Sequence, residues 1–68
     1  MENVQAGVVN CLRLPIHEKP SLDSSIVCKL RYLTEVEVDL YESTKNFYKI
    51  YTAIGAEGYC LKDQIVLK

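Results

Sequence analysis

The run Glu35-Val36-Glu37-Val38-Asp39-Leu40 alternates strictly between charged and apolar residues. Side chains of an extended chain point to opposite faces in turn, so Val36, Val38 and Leu40 share one face and three carboxylates the other. This predicts a half-buried strand. Residues 42–46 are polar and predict a turn, and Phe47-Tyr48-Lys49-Ile50-Tyr51-Thr52 is aromatic and β-branched, as a strand prefers. Together they predict a hairpin.

Next, Gly55-Ala56-Glu57-Gly58 supplies two residues able to take a positive φ, which suits a tight turn or bulge. Tyr59-Cys60-Leu61 predicts a short strand, Lys62-Asp63-Gln64 a turn, and Ile65-Val66-Leu67 a closing strand. Residues 4–9 predict an opening strand with Gly7 as a candidate bulge. Residues 10–25 hold both prolines, Pro15 and Pro20. Proline cannot donate to a sheet ladder, so a long loop with at most edge-strand character is expected there. Leu22, Ile26, Leu30 and Leu33 recur at near-helical spacing, with Asp23 or Ser24 as a cap, whereas Ile26-Val27-Cys28 favours a strand. Pattern alone leaves helix and strand open at that place.

With 68 residues and 49% apolar composition, the chain has material for one compact domain, taken here as residues 1–68. A chain this short buries only about 60% of its unfolded surface, which leaves little for a catalytic cleft and its supporting shells. No enzymatic activity and no catalytic residue are expected. Eight basic residues face nine acidic ones and are scattered, so nucleic acid is not an expected partner. Lys29-Leu30-Arg31 reads as a solvated strand edge rather than a phosphate site. Cys11, Cys28 and Cys60 are odd in number and argue against a disulfide framework. The start lacks the basic and apolar regions of a signal peptide, and no apolar run is long enough for a membrane span. A cytoplasmic chain is expected if the sequence is complete, and a cell-wall or extracellular one if it belongs to an exported parent.

The order of these pieces resembles the bacterial type of Src-homology-3 domain over nearly the whole chain. The matching residues are Gly7-Val8-Val9, Leu14-Pro15-Ile16-His17, Pro20-Ser21-Leu22-Asp23-Ser24-Ser25 and Ile26-Val27-Cys28-Lys29-Leu30. They continue with Thr34-Glu35-Val36-Glu37-Val38, Phe47-Tyr48-Lys49-Ile50 and Gly55-Ala56-Glu57-Gly58-Tyr59-Cys60. The resemblance implies an all-β, five- to six-stranded SH3-like barrel with a long first loop, and makes Ile26 to Leu30 a strand. Pro15 and His17 stand where the family has Asn and Arg, and Phe47 stands where it has Trp. Leu33 replaces its usual glycine, which implies a different turn.

Tyrosine offers a flat apolar face and a hydroxyl, which suits peptide grooves. The candidate ligand-binding residues are therefore Tyr32, Tyr41, Phe47 and Tyr59, around a shallow groove. A competing reading has Phe47 and Tyr59 plug the barrel while the other aromatics cover its ends. It carries more weight for those two, because so small a core has few large residues to spare. His17 is the one histidine, and a Cys–His nucleophile is conceivable, but no spacing selects a partner thiol. A surface-loop histidine without special role is expected. The cysteines lie singly rather than in the close pairs of zinc sites, so no metal or other cofactor is expected, and buried, inert thiols in strands are.

The expected function is a non-catalytic module that binds a peptide or protein. Resemblance implies a cell-wall peptide, with peptidoglycan as the partner, since domains of this family often sit beside wall hydrolases. The alternative is an intracellular protein-interaction or regulatory factor, encoded on a phage or mobile element, which the unpaired cysteines and absent signal peptide motivate. A monomer is expected over a dimer, although one exposed edge strand could pair two barrels.

Overall fold

The computed structural model describes residues 3–68 and contains seven strands. They are β1 (Val4–Val9), β2 (Arg13–His17), β3 (Ile26–Arg31), β4 (Glu35–Asp39), β5 (Phe47–Tyr51), β6 (Glu57–Leu61) and β7 (Ile65–Leu67), with one 3-10 turn at Lys62–Gln64. All pair antiparallel in one sheet of order β3-β2-β6-β5-β4-β1-β7. The sheet curls on itself, because inward residues from every strand form one cluster. Val9, Leu14, Ile16, Leu30, Val38 and Ile50 anchor it, joined by Val36, Cys60 and Ile65. Each such side chain contributes about 1.5–3 kcal/mol on burial. This is the all-β, SH3-like architecture that the family resemblance implied, and the helix that pattern left open over Leu22 to Leu33 is replaced by β3.

Strand β4 follows its alternation: Val36 and Val38 are buried, Glu35 and Glu37 exposed. Leu40 does not join its neighbours and is 40% exposed. The cause is Asp39, whose Oδ1 accepts from the backbone N–H groups of Tyr41 and Glu42 at 3.1 Å and turns the chain out of the strand. The β4–β5 hairpin forms as expected, in the register Val38↔Ile50.

Three expectations need correction. The long first loop is broken by β2, which raises the strand count above six and leaves residues 18–25 as the loop. Pro15 is tolerated there because β2 meets β6 at His17↔Tyr59 alone. The His17 carbonyl faces β6, and by alternation the Pro15 nitrogen points the same way, past the end of that pairing. Gly7 makes no bulge, since β1 pairs regularly from Val4↔Asp39 to Val8↔Glu35. The irregularity lies instead between β2 and β3, where the register passes from Ile16↔Cys28 to His17↔Ile26. Leu33 does not escape the backbone demand of the glycine it replaces. It takes φ 68°, and Thr34 N–H donates to the Arg31 carbonyl at 3.1 Å, as in a type II turn. The turn is locked by β1, because Leu33 N–H donates to the Val9 carbonyl and Val9 N–H to that of Thr34, both at 2.9 Å.

Candidate functional site

Strand β5 divides its side chains between two environments. Ile50 is in the core and Tyr48 packs against it, so Phe47, Lys49 and Tyr51 lie on the outer face. Phe47 is nevertheless only 9% exposed, and it is not a member of the core cluster. It forms the floor of a cleft of about 550 Å³ together with Leu61, its partner across β6, and Leu22. Lys45, Lys62 and Asp63 form the rim. Of the two rings expected to plug the barrel, Phe47 is buried and Tyr59 half-buried, and neither belongs to the central cluster, which aliphatic residues and Cys60 fill.

The cleft is held by local hydrogen bonds. Ser24 Oγ is within 2.7 Å of the Ser21 carbonyl and 3.1 Å of the Lys19 carbonyl, and Glu18 N–H donates to the Ser25 carbonyl at 2.8 Å. His17 Nδ1 donates to the Ser24 carbonyl at 3.1 Å. These bonds fix the 18–25 loop that carries Leu22. On the opposite wall Lys62 N–H donates to the Asn46 carbonyl at 3.0 Å, and the Lys62 ammonium lies 5.3 Å from the Tyr48 ring. His17 is thus not a surface-loop residue. It is 6% exposed, because the strand that carries it is covered by both the 18–25 loop and β6.

Beside the cleft, Lys49 sits 5.1 Å from the Tyr59 ring and 5.6 Å from the Tyr51 ring, and its Nζ is 3.2 Å from Glu57 Oε1. Partial burial pushes the ammonium pKa down, but Glu57 and the two tyrosine hydroxyls outweigh it and hold it above the ordinary lysine value. Tyr51 in turn donates to Asp39 Oδ2 at 3.3 Å. Every member of this cluster has a partner, so it braces the outer face of β4, β5 and β6.

The four aromatic candidates are therefore dispersed. Phe47 lines the cleft and Tyr59 lies under Lys49. Tyr41 is 77% exposed in the turn after β4, and Tyr32 lines a different, shallow concavity with Leu12, Arg13, Lys29 and Arg31. Sequence reasoning missed Leu22, Leu61, Lys45 and Lys62. Leu61 was accessible by counting two residues on from Tyr59, whereas Leu22 in a polar loop carried only the signal of an apolar residue out of place.

Cys60 is poorly suited to act as a nucleophile. The buried Cys60 thiol is pushed up to about 12 by desolvation, with Cys11 adding to the shift, the reverse of what a nucleophile needs. Cys28 in β3 and Cys11 in the bend before β2 are half-buried, so of the three expected buried thiols only Cys60 is fully enclosed. All three are unbonded. Among the described residues no group of three or more His, Cys, Asp or Glu could hold a metal ion, and no helix is long and apolar enough to cross a membrane.

A family model for the bacterial SH3 domain matches residues 13–65. The chain belongs to the bacterial SH3 domain family. No curated protein and no solved structure matches it significantly. SH3 domains are typically non-catalytic modules that bind peptide or protein ligands, and a cleft walled by two loops and floored by one aromatic ring suits that role. The match starts after β1, yet β1 is integral to this bacterial SH3 domain because it pairs with both β4 and β7.

Proposed function

We propose that this bacterial SH3 domain recognises a short peptide in the Phe47 cleft, and that bacterial cell-wall peptide is its ligand class. Family membership carries the reading, and the chemistry of the cleft supports it. Phe47, Leu61 and Leu22 offer an apolar surface for a small side chain, and Lys45 and Lys62 offer two cations at the rim against the one carboxylate of Asp63. Wall peptides combine methyl side chains with free carboxylates. A methyl adds about 0.8 kcal/mol of burial and an exposed ion pair at most about 1 kcal/mol, so a single module binds such a peptide weakly.

An amide chemical-shift titration with soluble wall peptides tests this directly. Shifts at Phe47, Leu61 and Lys62, with affinity reduced in Lys62→Ala, are the expected result. No shift in the cleft, together with no retention on purified peptidoglycan above a control barrel, overturns it.

A second reading, an interaction factor inside the cell, draws its support from the three unbonded thiols, which suit a reducing compartment. A disulfide found by mass spectrometry in protein from its native host would count against it.

A further inference from the structure

The outer face of the β2–β3 hairpin collects charge of one sign. Arg13 stands directly opposite Arg31 in the register, and Lys29 opposite Pro15 follows one step along the same face. Like charges paired across strands repel and destabilise the sheet that carries them. None of the ion pairs found among the described residues includes Arg13, Lys29 or Arg31. The three side chains line a concavity of about 690 Å³ that, among the described residues, no carboxylate lines. At its end stand two apolar side chains in the open, Leu12 at 86% and Tyr32 at 52% exposure. A net charge of −1 for the whole chain makes this concentration of cations a local feature rather than a general one.

We propose that this concavity is a second recognition site, independent of the Phe47 cleft, for an acidic segment of a partner protein. Guanidinium groups bind carboxylates in a bidentate fork, and an anion between Arg13 and Arg31 removes their mutual repulsion. The spacing specifies the ligand further. Residues two apart on a strand are about 6.6 Å apart, so Arg31 and Lys29 match two carboxylates on one face of an extended acidic-x-acidic segment. Leu12 and Tyr32 then receive an apolar residue beside the acidic pair. A long nucleic acid is a poorer occupant. Three cations in a chain of net charge −1 neutralise only about three phosphates, too few to hold a long polyanion at physiological salt.

The test is an amide chemical-shift titration of the full chain with a blocked Leu-Glu-Ser-Glu-Ser peptide. The Leu-Gln-Ser-Gln-Ser peptide and a ten-residue oligothymidylate serve as the comparison probes. The acidic peptide is expected to shift the amides of Leu12, Arg13, Lys29, Arg31 and Tyr32, and to bind about tenfold less tightly to Arg13→Gln/Arg31→Gln. Leu12→Ser, at a side chain that supports no core, is expected to weaken binding while leaving the rest of the spectrum in place. Equal binding of the two peptides overturns the proposal, as does unchanged binding by the double variant. Tighter binding of the oligothymidylate at the same amides overturns it in favour of a nucleic-acid surface. Shifts confined to Phe47 and Leu61 overturn it while leaving the first cleft standing.

Discussion

Gly58 of β6 lies so close to His17 of β2 that a Cβ at Gly58 would stand 2.5 Å from the His17 carbonyl oxygen and 2.6 Å from Ile16 Cγ2. This contact is where β2 and β6 meet, through the single pair His17↔Tyr59. Barrel closure and the Phe47 cleft both depend on it, since β6 carries Leu61 and the loop leaving β2 carries Leu22.

Gly58→Ala is therefore expected to destabilise by about 2–3 kcal/mol, because the blocking atom is backbone and has no rotamer to escape into. Urea unfolding followed by circular dichroism measures it. A midpoint equal to that of the original chain would show that β2 and β6 separate at little cost.

Leu33→Gly is expected to stabilise the fold. A left-handed conformation costs a non-glycine residue about 1–2 kcal/mol, and glycine's greater backbone entropy returns roughly 0.5–1 kcal/mol of that. Leu33 is 59% exposed, so little burial is lost. The net gain of about 0.5–1 kcal/mol appears as a rise of a few degrees in thermal midpoint.

The Lys49 ammonium over the Tyr59 ring is expected to give a coupling energy of about 0.5–1 kcal/mol in a double-mutant cycle of Lys49→Met and Tyr59→Leu. Additive effects of the two substitutions would mean that the ring serves only as apolar cover.

Cys60 makes stability fall in alkali. Its thiol is raised from 9.0 to about 12 by burial, so it stays protonated in the folded chain while the unfolded chain releases the proton. The stability it contributes is fully present below the unfolded value, and is lost as pH rises from 9.0 toward the folded value of about 12. The slope approaches about 1.4 kcal/mol per pH unit. Cys60→Ala is expected to flatten this alkaline decline in denaturant titrations at successive pH values. In the original chain, thiol reagents at neutral pH are expected to reach Cys60 more slowly than Cys11 or Cys28.

Strand β4 was legible because one of its faces is buried and the other wet, so the alternation of Val36 and Val38 with Glu35 and Glu37 has one stable orientation. Strand β2 was not. Pro15 forbids a ladder bond on one side, and whether a neighbour occupies that side depends on where β6 ends. The position of Phe47 was ambiguous for a related reason. Period-two counting puts Phe47, Lys49 and Tyr51 on one face, but which face is inside depends on the curl of the sheet, and residue size pointed the wrong way. The cleft shared this fate, since Leu22, Phe47 and Leu61 are apart in the chain and meet only once the barrel closes.

Local pattern by itself determined the β class, the β4–β5 hairpin and the bacterial SH3 likeness, because these follow from alternation, composition and the order of short pieces. Tertiary structure alone decided that His17 is buried, that Phe47 floors a cleft, and that Arg13 faces Arg31. Those relations are between strands, and register across a sheet comes from closure of the whole barrel rather than from either strand taken alone.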